Sequence, residues 1–481
     1  MATKRSMDLA TKKTVSFTEG PIFTRLLAFA FPIILTGILQ VTYNMADNIV
    51  VGQFSGDPDA LGAVGSTSSI TNLFISFLIN ISAGAGVVIA QFYGSKDYER
   101  VSRTAHTAMS FAIIGGVGCM LLGLVLTRPL LTWTGTQDVF YNDAVLYMTI
   151  ICLGMPASSI YNFGASILRS TGDSKTSLYI LSVSGLINVV LNLVFVILCD
   201  MTVDGVALAT ITSQYVSAVW VVLVLMRRRG TSYQLILKKL RLEGALLLRI
   251  LRIGLPMAFQ TTLFSISNII ITAAANTFPP TVVSAKTIAV NIEGITYTVM
   301  NSFATAAMTF TGQNYGAKKF GRINKVLLYS LIQVAVSGIL VSQIEIFFGP
   351  ELSSLYIDAD NPDRAEIIAA VMDIFKIMLT TYFLCGVMET VSGVLKGIGF
   401  SFISMVASLA GLAVRVGWIL LVTPTERFHT IFGLFVSYTI SWVFTIILLG
   451  FCCLYAWKKA GIWRGAKEEK IKEQEKIKET V

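Results

Sequence analysis

The sequence predicts an all-α integral membrane protein with twelve transmembrane helices in two six-helix lobes. Three observations lead to this fold class. The 481 residues are 54% hydrophobic and 14% charged, whereas soluble domains carry roughly 25% charged residues. Apolar stretches of about 18 residues or more, which can cross a bilayer as helices, recur along the chain. The two halves of the chain also repeat one another in sequence.

Twelve apolar stretches are predicted to span the membrane. The segment before the first of them is polar and basic, and it lacks the short apolar core and cleavage site of a removable signal peptide. We therefore expect the first span itself to direct insertion. The predicted spans cover residues 22–52, 60–92, 104–127, 143–168, 176–199, 205–226, 250–277, 281–312, 325–348, 365–395, 401–423 and 429–457.

Lysine and arginine residues predict how these spans are oriented. They concentrate before span 1 and after the even-numbered spans, as in RRR (227–229) and KK (318–319). Loops rich in these residues stay in the cytoplasm, and an even number of spans then places both termini there. This predicts a multi-pass protein of the cytoplasmic (inner) membrane, in contact with lipid. The distribution accounts for the net charge of +9, and no binding to nucleic acid is expected.

The longest basic connection, residues 226–244, separates two sets of six predicted spans. The predicted organisation is a cytoplasmic N-terminal segment (1–21), an N-lobe with spans 1–6 (22–226), a cytoplasmic linker (227–249), a C-lobe with spans 7–12 (250–457) and a charged cytoplasmic tail (458–481).

The two lobes share an internal repeat. The loop AQFYGSKDYERV (90–101) after span 2 matches GQNYGAKKFGRI (312–323) after span 8, and Pro32 in span 1 recurs as Pro256 in span 7. Because each half has an even number of spans, both insert in the same orientation. The pseudo-twofold axis then runs along the membrane normal, and a substrate path is expected between the halves. A repeat that is only a relic of duplication is the alternative.

Asp47 is the most informative single residue, because it lies within the apolar first span. A carboxylate in the bilayer costs about 2.5–3.5 kcal/mol on insertion scales and usually faces a cavity or a functional site. Tyr43 and Asn44 lie one turn away on the same helical face. Asp47 is therefore the candidate site for a proton or Na⁺, and Na⁺ here is the only metal ion expected.

Polar residues in spans 5 and 6 could complete this site. Asn188 and Asn192 are one turn apart, as are Thr210 and Gln214. Carboxylate, amide and hydroxyl oxygens together could hold a proton or Na⁺. The alternative is a hydrogen-bond network that only holds spans 1, 5 and 6 together.

The second half has its own ionisable residues within predicted spans. Glu293 in span 8 is the favoured functional residue, and Tyr382 and Glu389 lie in span 10. Arg415 in span 11 needs an anion, for which Glu293, Glu389 and Asp373 are the candidates. We expect these residues to take part in substrate binding or in ion coupling within the second lobe.

Other charged and special residues receive simpler interpretations. Asp373 and Lys376 are three residues apart and should neutralise each other, whereas Lys286 and Glu345 lie near outer ends of spans and should reach solvent. His106 and His429, at the ends of spans, are interpreted as surface residues. As candidate hinges, we single out the prolines within the first span of each half, Pro32 and Pro256.

The sequence contains no nucleotide-binding loop, zinc spacing or nucleophile motif. The six cysteines lie in or at the ends of spans, where packing is the expected role. The protein is therefore not expected to be an enzyme, to use a cofactor or to hydrolyse ATP.

Taken in order, the motifs resemble the multidrug and toxic compound extrusion (MATE) transporters of the multidrug/oligosaccharidyl-lipid/polysaccharide exporter superfamily, over residues 22–457. The resemblance implies two six-helix lobes around a central cleft and export of organic cations or other amphipaths in exchange for H⁺ or Na⁺. It rests on Pro32 and Asp47, VGQFSGDPDALGAVG (51–65), the QFYG and QNYG loops, LRSTGDS (168–174), NVVLN (188–192) and GVALATITSQ (205–214).

Carried over residue by residue, the resemblance implies an N-lobe cation site at Asp47, Asn188, Asn192 and Thr210. Asn192 stands where several prokaryotic members carry aspartate, so this chain departs from a two-acid site and both coupling ions stay open. Glu293 matches an acidic position found in span 8 of many relatives.

These observations predict a monomeric, secondary active antiporter that works by alternating access. Two alternatives remain. One is a lipid-linked glycan flippase or polysaccharide exporter of the same superfamily. The other is a carrier of the major facilitator type, although the loop after span 2 lacks the basic motif typical of those carriers.

Overall fold

A computed structural model describes residues 16–54, 60–357 and 360–480. These residues are mostly helical and contain no β-strand, which confirms the all-α fold class. Residues 1–15 of the predicted N-terminal segment, and residues 55–59 of the motif at 51–65, lie outside the described residues. The helices are α1 (Ile22–Phe54), α2 (Ala60–Gly94), α3 (Tyr98–Trp133), α4 (Tyr141–Ser170), α5 (Ser174–Leu193), α6 (Val203–Arg227), α7 (Gly244–Ala275), α8 (Pro280–Gly316), α9 (Phe320–Phe347), α10 (Gly349–Ser354), α11 (Arg364–Met378), α12 (Phe383–Gly397), α13 (Ser401–Leu421), α14 (Ile431–Lys459) and α15 (Ile462–Thr480).

Each of the twelve predicted spans falls on helix. Within the described part of the chain, ten helices are long and apolar enough to cross a membrane, and α11 with α12 forms an eleventh span bent by 41°. The twelfth is α8, whose 37 residues exceed the required length. It carries Lys286, Asn291 and Glu293 among apolar residues, so it is more polar than the other spans.

The break in span 10 was not expected from the sequence. A short 3₁₀ turn, Leu379–Thr381, separates α11 from α12. The Thr381 hydroxyl bonds to the Thr439 hydroxyl at 2.7 Å and also reaches the Met378 carbonyl oxygen at 3.2 Å. A side chain that bonds to the preceding turn weakens regular helix geometry and often bends a helix.

The internal repeat is visible in the backbone. Lys96 and Lys318 occupy equivalent positions in the two repeated loops, and both adopt the left-handed conformation, with φ of 60° and 56°. Their amides bond to the carbonyl oxygens of Tyr93 and Tyr315 at 3.1 and 3.0 Å. The same local sequence therefore ends α2 and α8 with the same turn.

The described chain forms two compact units. The first unit consists of Leu35–Ala258, and the second consists of Phe17–Ile34 together with the chain from Phe259 onward. These boundaries differ from the predicted lobes at 22–226 and 250–457. The first part of α1 belongs to the second unit, and the first part of α7 belongs to the first unit.

Specific contacts explain this division. In the second unit, the Phe17 ring stacks on Phe310 with centroids 3.9 Å apart, and its amide donates to Gln313 Oε1 at 3.0 Å. In the first unit, Arg249 Nη2 of α7 donates to Gln91 Oε1 at 2.7 Å. The glutamines are equivalent positions of the repeat. Hydropathy cannot indicate such pairings, because it gives the length of a span but not its neighbours.

The predicted linker is ordered against the first unit. The backbone amide of Ile236 donates to His106 Nε2 at 3.0 Å, and His106 Nδ1 lies 2.7 Å from the Ser102 carbonyl oxygen. His106 is buried, so its interpretation as a surface residue is wrong. His429 is exposed, which confirms the surface interpretation there.

Candidate functional site

Asp47 lies in the carboxy-terminal half of α1, within the first unit. Its side chain is half-buried, and Asn192 Nδ2 of α5 donates a hydrogen bond to its Oδ1 atom. Asn192 itself is fully buried. A carboxylate within an apolar helix is therefore met by an amide from a neighbouring helix, as polar groups in a membrane require.

Asn188 and Thr210 extend this contact. Asn188 Nδ2 lies 3.4 Å from Thr210 Oγ1, and both side chains interact with the Asp47 carboxylate. Asn188 and Asn192 share a face because they are one turn apart on α5, and α6 packs against α5. The structure thus brings together all four residues that were predicted as the N-lobe cation site. We call these four residues the Asp47 cluster.

The Asp47 cluster contains one unsatisfied polar atom. Asn192 Oδ1 is buried and has no hydrogen-bond partner among the described residues. A buried acceptor without a donor costs about 1–3 kcal/mol. If the amide turned over, this oxygen could accept a hydrogen bond from a protonated Asp47, and it could also contact a bound cation. The cluster can therefore accommodate a change in charge at Asp47.

Tyr43 anchors α1 on α5 near the Asp47 cluster. Its hydroxyl donates to the Ser182 carbonyl oxygen at 3.1 Å. Its ring covers Gly185 so closely that a Cβ atom there would lie 1.8 Å from the ring. A glycine is therefore needed at this close approach. Asn44, on the next position of α1, is exposed.

Gln214 contacts α4, and Tyr147 of α4 is a neighbour of Asp47 that was not predicted. The Gln214 side chain packs on Gly154 of α4, where a Cβ atom would lie 2.7 Å from its Oε1. Tyr147, also on α4, is near enough to Asp47 to interact with it electrostatically. Sequence reasoning missed Tyr147, although a tyrosine hydroxyl within an apolar span was a signal that could have been used.

Glu293 is the centre of a separate group in the second unit. Its side chain is half-buried on α8 and interacts with the Tyr382 hydroxyl and with Arg415. Tyr382 is itself buried and packs edge-to-face on Trp442, with centroids 5.2 Å apart. Tyr382, at the bend of span 10, thus bonds to Glu293, and Arg415 of α13 is near enough to interact with it electrostatically.

Arg415 is buried and held by neighbours on α14. Its Nε donates to Ser441 Oγ at 3.0 Å, and its guanidinium lies 4.3 Å from the Tyr438 ring centroid. Of its three candidate anions, Asp373 instead pairs with Lys376 at 3.3 Å on the surface. That pairing confirms the structural interpretation of these two residues.

The remaining predicted residues occupy different surroundings. Glu389 is half-buried on α12 and interacts electrostatically with the buried Lys396. Lys286 is half-buried, and its Nζ donates to Thr272 Oγ1 at 2.6 Å. Glu345 is only 4% exposed, so the expectation that it reaches solvent is wrong. It lies near the end of α9, but it is on the face that packs on α8.

Pro32 and Pro256 both lie inside helices, α1 and α7. Each lies in the first part of its helix. That part belongs to one compact unit, and the rest of the helix belongs to the other. Their role as hinges stays a prediction.

Known proteins resemble this chain over most of its length. The family model MatE matches twice, at residues 32–194 and 256–419, once in each repeated half. The probable multidrug resistance protein YoeA of Bacillus subtilis is 26% identical over 459 residues, covering 93% of this chain and 96% of that protein. An FAD transporter of Shewanella oneidensis is 25% identical over 351 residues, covering 70% of this chain and 75% of that protein.

A solved structure extends the comparison to the fold. The crystal structure of MATE in complex with MaL6 superposes with a TM-score of 0.86 at 22% identity, covering 95% of this chain and 99% of that one. At this identity the likeness establishes the fold, and it confirms the predicted architecture of twelve helices in two lobes.

Proposed function

The chain belongs to the MatE family of multidrug efflux transporters, and from this premise we propose that it is a secondary active antiporter driven by H⁺ or Na⁺. It would export organic cations or amphipaths by alternating access, as a monomer in the cytoplasmic membrane with both termini in the cytoplasm. The observation that carries this proposal is the Asp47 carboxylate within α1, hydrogen-bonded to Asn192 of α5.

The chemistry of the Asp47 cluster supports a monovalent cation as its ligand. Asp47 supplies one negative charge. Asn192 is an amide, whereas an aspartate at that position would add a second negative charge. A proton needs only the carboxylate. Na⁺, a hard cation, would also use the amide and hydroxyl oxygens of Asn188 and Thr210 and the unpartnered Asn192 Oδ1. Both ions fit the residues present.

Binding of the cation would act through helix position. When Asp47 is charged, its carboxylate accepts from Asn192. Neutralising that charge weakens this hydrogen bond, since bonds to ionised groups are roughly twice as strong as neutral ones. Tyr43 fixes α1 on α5 one turn before Asp47. The helix would therefore move mainly in the part of α1 beyond Asp47. Cation entry would reposition that part and disfavour bound substrate.

Coupling requires that the ion and the substrate bind the two access states with different affinities. We propose that the cation favours the state with low affinity for substrate. Release of the cation to the cytoplasm then resets Asp47, and the cycle moves one substrate outward for each cation that enters at this site.

The test is efflux from proteoliposomes that contain the full chain. A pH gradient and a Na⁺ gradient are imposed separately, and export of ethidium is followed by fluorescence. Asp47→Asn should abolish the dependence of efflux on the imposed gradient, because the coupling between the two sites, typically about 5- to 150-fold in affinity, is lost with the carboxylate. Asp373→Asn makes the same chemical change at an exposed ion pair and should transport like the wild type. Unchanged efflux by Asp47→Asn would remove Asp47 from the mechanism.

The choice of substrates follows from the relatives. One relative is named a multidrug resistance protein and another an FAD transporter, so the panel includes cationic dyes and FAD. Export of FAD alone would redirect the proposal from cations to anionic nucleotides. Membership of the MatE family excludes the alternative of a carrier of the major facilitator type. The other alternative, a flippase for lipid-linked glycans, would be tested by adding a lipid-linked glycan to the panel of substrates.

A further inference from the structure

An open groove runs along one face of α6, in the first unit. Its lining residues recur every three or four positions, which places them on one side of the helix: Tyr215, Val216, Val219, Trp220, Leu223 and Arg227. The side chains of Tyr215, Val219 and Leu223 are exposed. Because α6 is long and apolar enough to cross a membrane, lipid is the solvent that this face meets.

The small residues of this part of α6 lie on its other side. Ser213, Ser217 and Ala218 are buried, and α6 packs on α4 and α5. Helices in a membrane associate closely where small residues let their backbones approach each other. The groove instead presents branched and aromatic side chains, which suit the flexible chain of a lipid better than a second helix.

The length of the groove matches one leaflet of a bilayer. Thr212, at its far end, precedes Arg227 by about four turns of helix, so the groove is about 22 Å long. The hydrocarbon of one leaflet is about 15 Å thick, which is half of the bilayer core. The groove therefore covers the full depth of a leaflet, and Arg227 lies at the end where lipid headgroups are found.

Two guanidinium groups at this end of α6 have no counter-ion among the described residues. Arg228 donates to Asp173 Oδ2 and, at 3.2 Å, to Thr176 Oγ1, so its charge is balanced by the start of α5. Arg227 and Arg229 are exposed, and neither forms an ion pair within the described ranges. A side chain on a helix leans toward the turn before its own Cα atom, so Arg227 lies over the groove that it lines.

We propose that the groove of α6 binds an anionic phospholipid. An acyl chain lies along Val219 and Leu223, Arg227 binds the phosphate, and Arg229 adds a second positive charge. A guanidinium fits a phosphate through two parallel hydrogen bonds. Two positive charges without protein partners favour a lipid of net negative charge over a zwitterionic one. The inference goes beyond the proposed antiport and does not rest on it, because lipid binding needs neither a gradient nor a substrate.

The test uses the fluorescence of Trp220, which lines the groove. The full chain is reconstituted in phosphatidylcholine vesicles that contain a rising fraction of brominated phosphatidylglycerol or, in parallel, of brominated phosphatidylcholine. Bromine on an acyl chain quenches a tryptophan that it contacts. Because the chain has six tryptophans, the signal of Trp220 is taken as the difference between each protein and its Trp220→Phe variant. We expect half-quenching at a lower fraction of the anionic lipid than of the zwitterionic lipid.

Loss of Arg227 should remove most of this preference. In Arg227→Gln, the fraction of brominated phosphatidylglycerol needed for half-quenching should rise about fivefold, because one basic residue near an anionic membrane contributes about 1 kcal/mol. The curve for brominated phosphatidylcholine should not change. Arg229→Gln, which lies beyond the end of α6, should shift the anionic curve in the same direction and keeps the proposal testable if Arg227→Gln fails to fold.

A matched control and the opposing outcomes complete the design. Arg128→Gln removes an exposed arginine near the end of α3 and should leave both curves unchanged. Identical curves for the two lipids in the wild type, or an unchanged preference in both Arg227→Gln and Arg229→Gln, would overturn the proposal. A second copy of the chain in the groove would shield Trp220 from both lipids, with less shielding at higher ratios of lipid to protein, and that result would also overturn it.

Discussion

Substitution of Gly185 by alanine tests how α1 is held next to the Asp47 cluster. A Cβ atom at this position would lie 1.8 Å from Tyr43 Cε2 and 2.2 Å from Cζ, whereas ordinary contacts begin at 3.4 Å. The ring must therefore retreat by at least 1.6 Å. That movement breaks the hydrogen bond from Tyr43 to the Ser182 carbonyl oxygen, now 3.1 Å long.

The expected cost follows from three terms. Overpacking costs about 1–3 kcal/mol, and the lost hydrogen bond costs about 0.5–1.5 kcal/mol. Alanine returns about 0.8–1 kcal/mol through its higher helix propensity. The net destabilisation is therefore about 0.5–3.7 kcal/mol. Because Tyr43 is one turn from Asp47, the substitution should also lower gradient-driven efflux by moving Asp47 relative to Asn192.

The assay combines thermal unfolding in detergent with efflux from proteoliposomes. Gly118→Ala is the matched control, since a Cβ atom there meets nothing within 4 Å, and it should be neutral or slightly stabilising. Adding Tyr43→Ala to Gly185→Ala removes the clash, so the double variant should be less destabilised than the sum of the single variants. If Gly185→Ala unfolds at the wild-type temperature, the close packing of Tyr43 on Gly185 is refuted.

Two further predictions concern the linker between α6 and α7. The Arg103 guanidinium, with its Nε 2.9 Å from Glu243 Oε1, holds the pKa of Glu243 below its ordinary value. The stabilisation from this pair is therefore present at neutral pH and is lost as the pH falls through the lowered pKa of the folded state. Glu243→Gln should lower the thermal unfolding temperature at pH 7 but not at acid pH, where Glu243 is already protonated, and an equal loss at both would contradict the assignment. His106→Phe leaves the Ile236 amide without its acceptor, at a cost of about 1–3 kcal/mol. It should expose the linker to trypsin, whereas His429→Phe, a change at an exposed residue, should not.

Most residues around Asp47 could be predicted from the sequence. Asp47, Asn188, Asn192 and Thr210 stand out in the sequence because polar groups in apolar spans must find partners, and the family resemblance grouped them. The structure places them together. Tyr147 was missed because a single tyrosine in a span is equally compatible with the lipid interface.

Glu345 shows where sequence reasoning failed. Its position near the end of α9 suggested that it reaches solvent, but it is buried against α8. Position along a span gives depth in the membrane, whereas exposure depends on the rotation of the helix and on its neighbours. His106 was misjudged for the same reason, because the linker that covers it comes from a distant part of the chain.

The sequence alone determined the number of spans, their order and the duplication of the two halves, because the bilayer demands apolar stretches of a fixed length and repeated motifs survive in the chain. It also located the acid in the first span, since a charge there is conspicuous against its surroundings. Only the tertiary structure decided which side chains meet across helices, where span 10 bends and which unit holds each end of α1 and α7. Those outcomes depend on packing between segments far apart in the chain, which local composition does not encode.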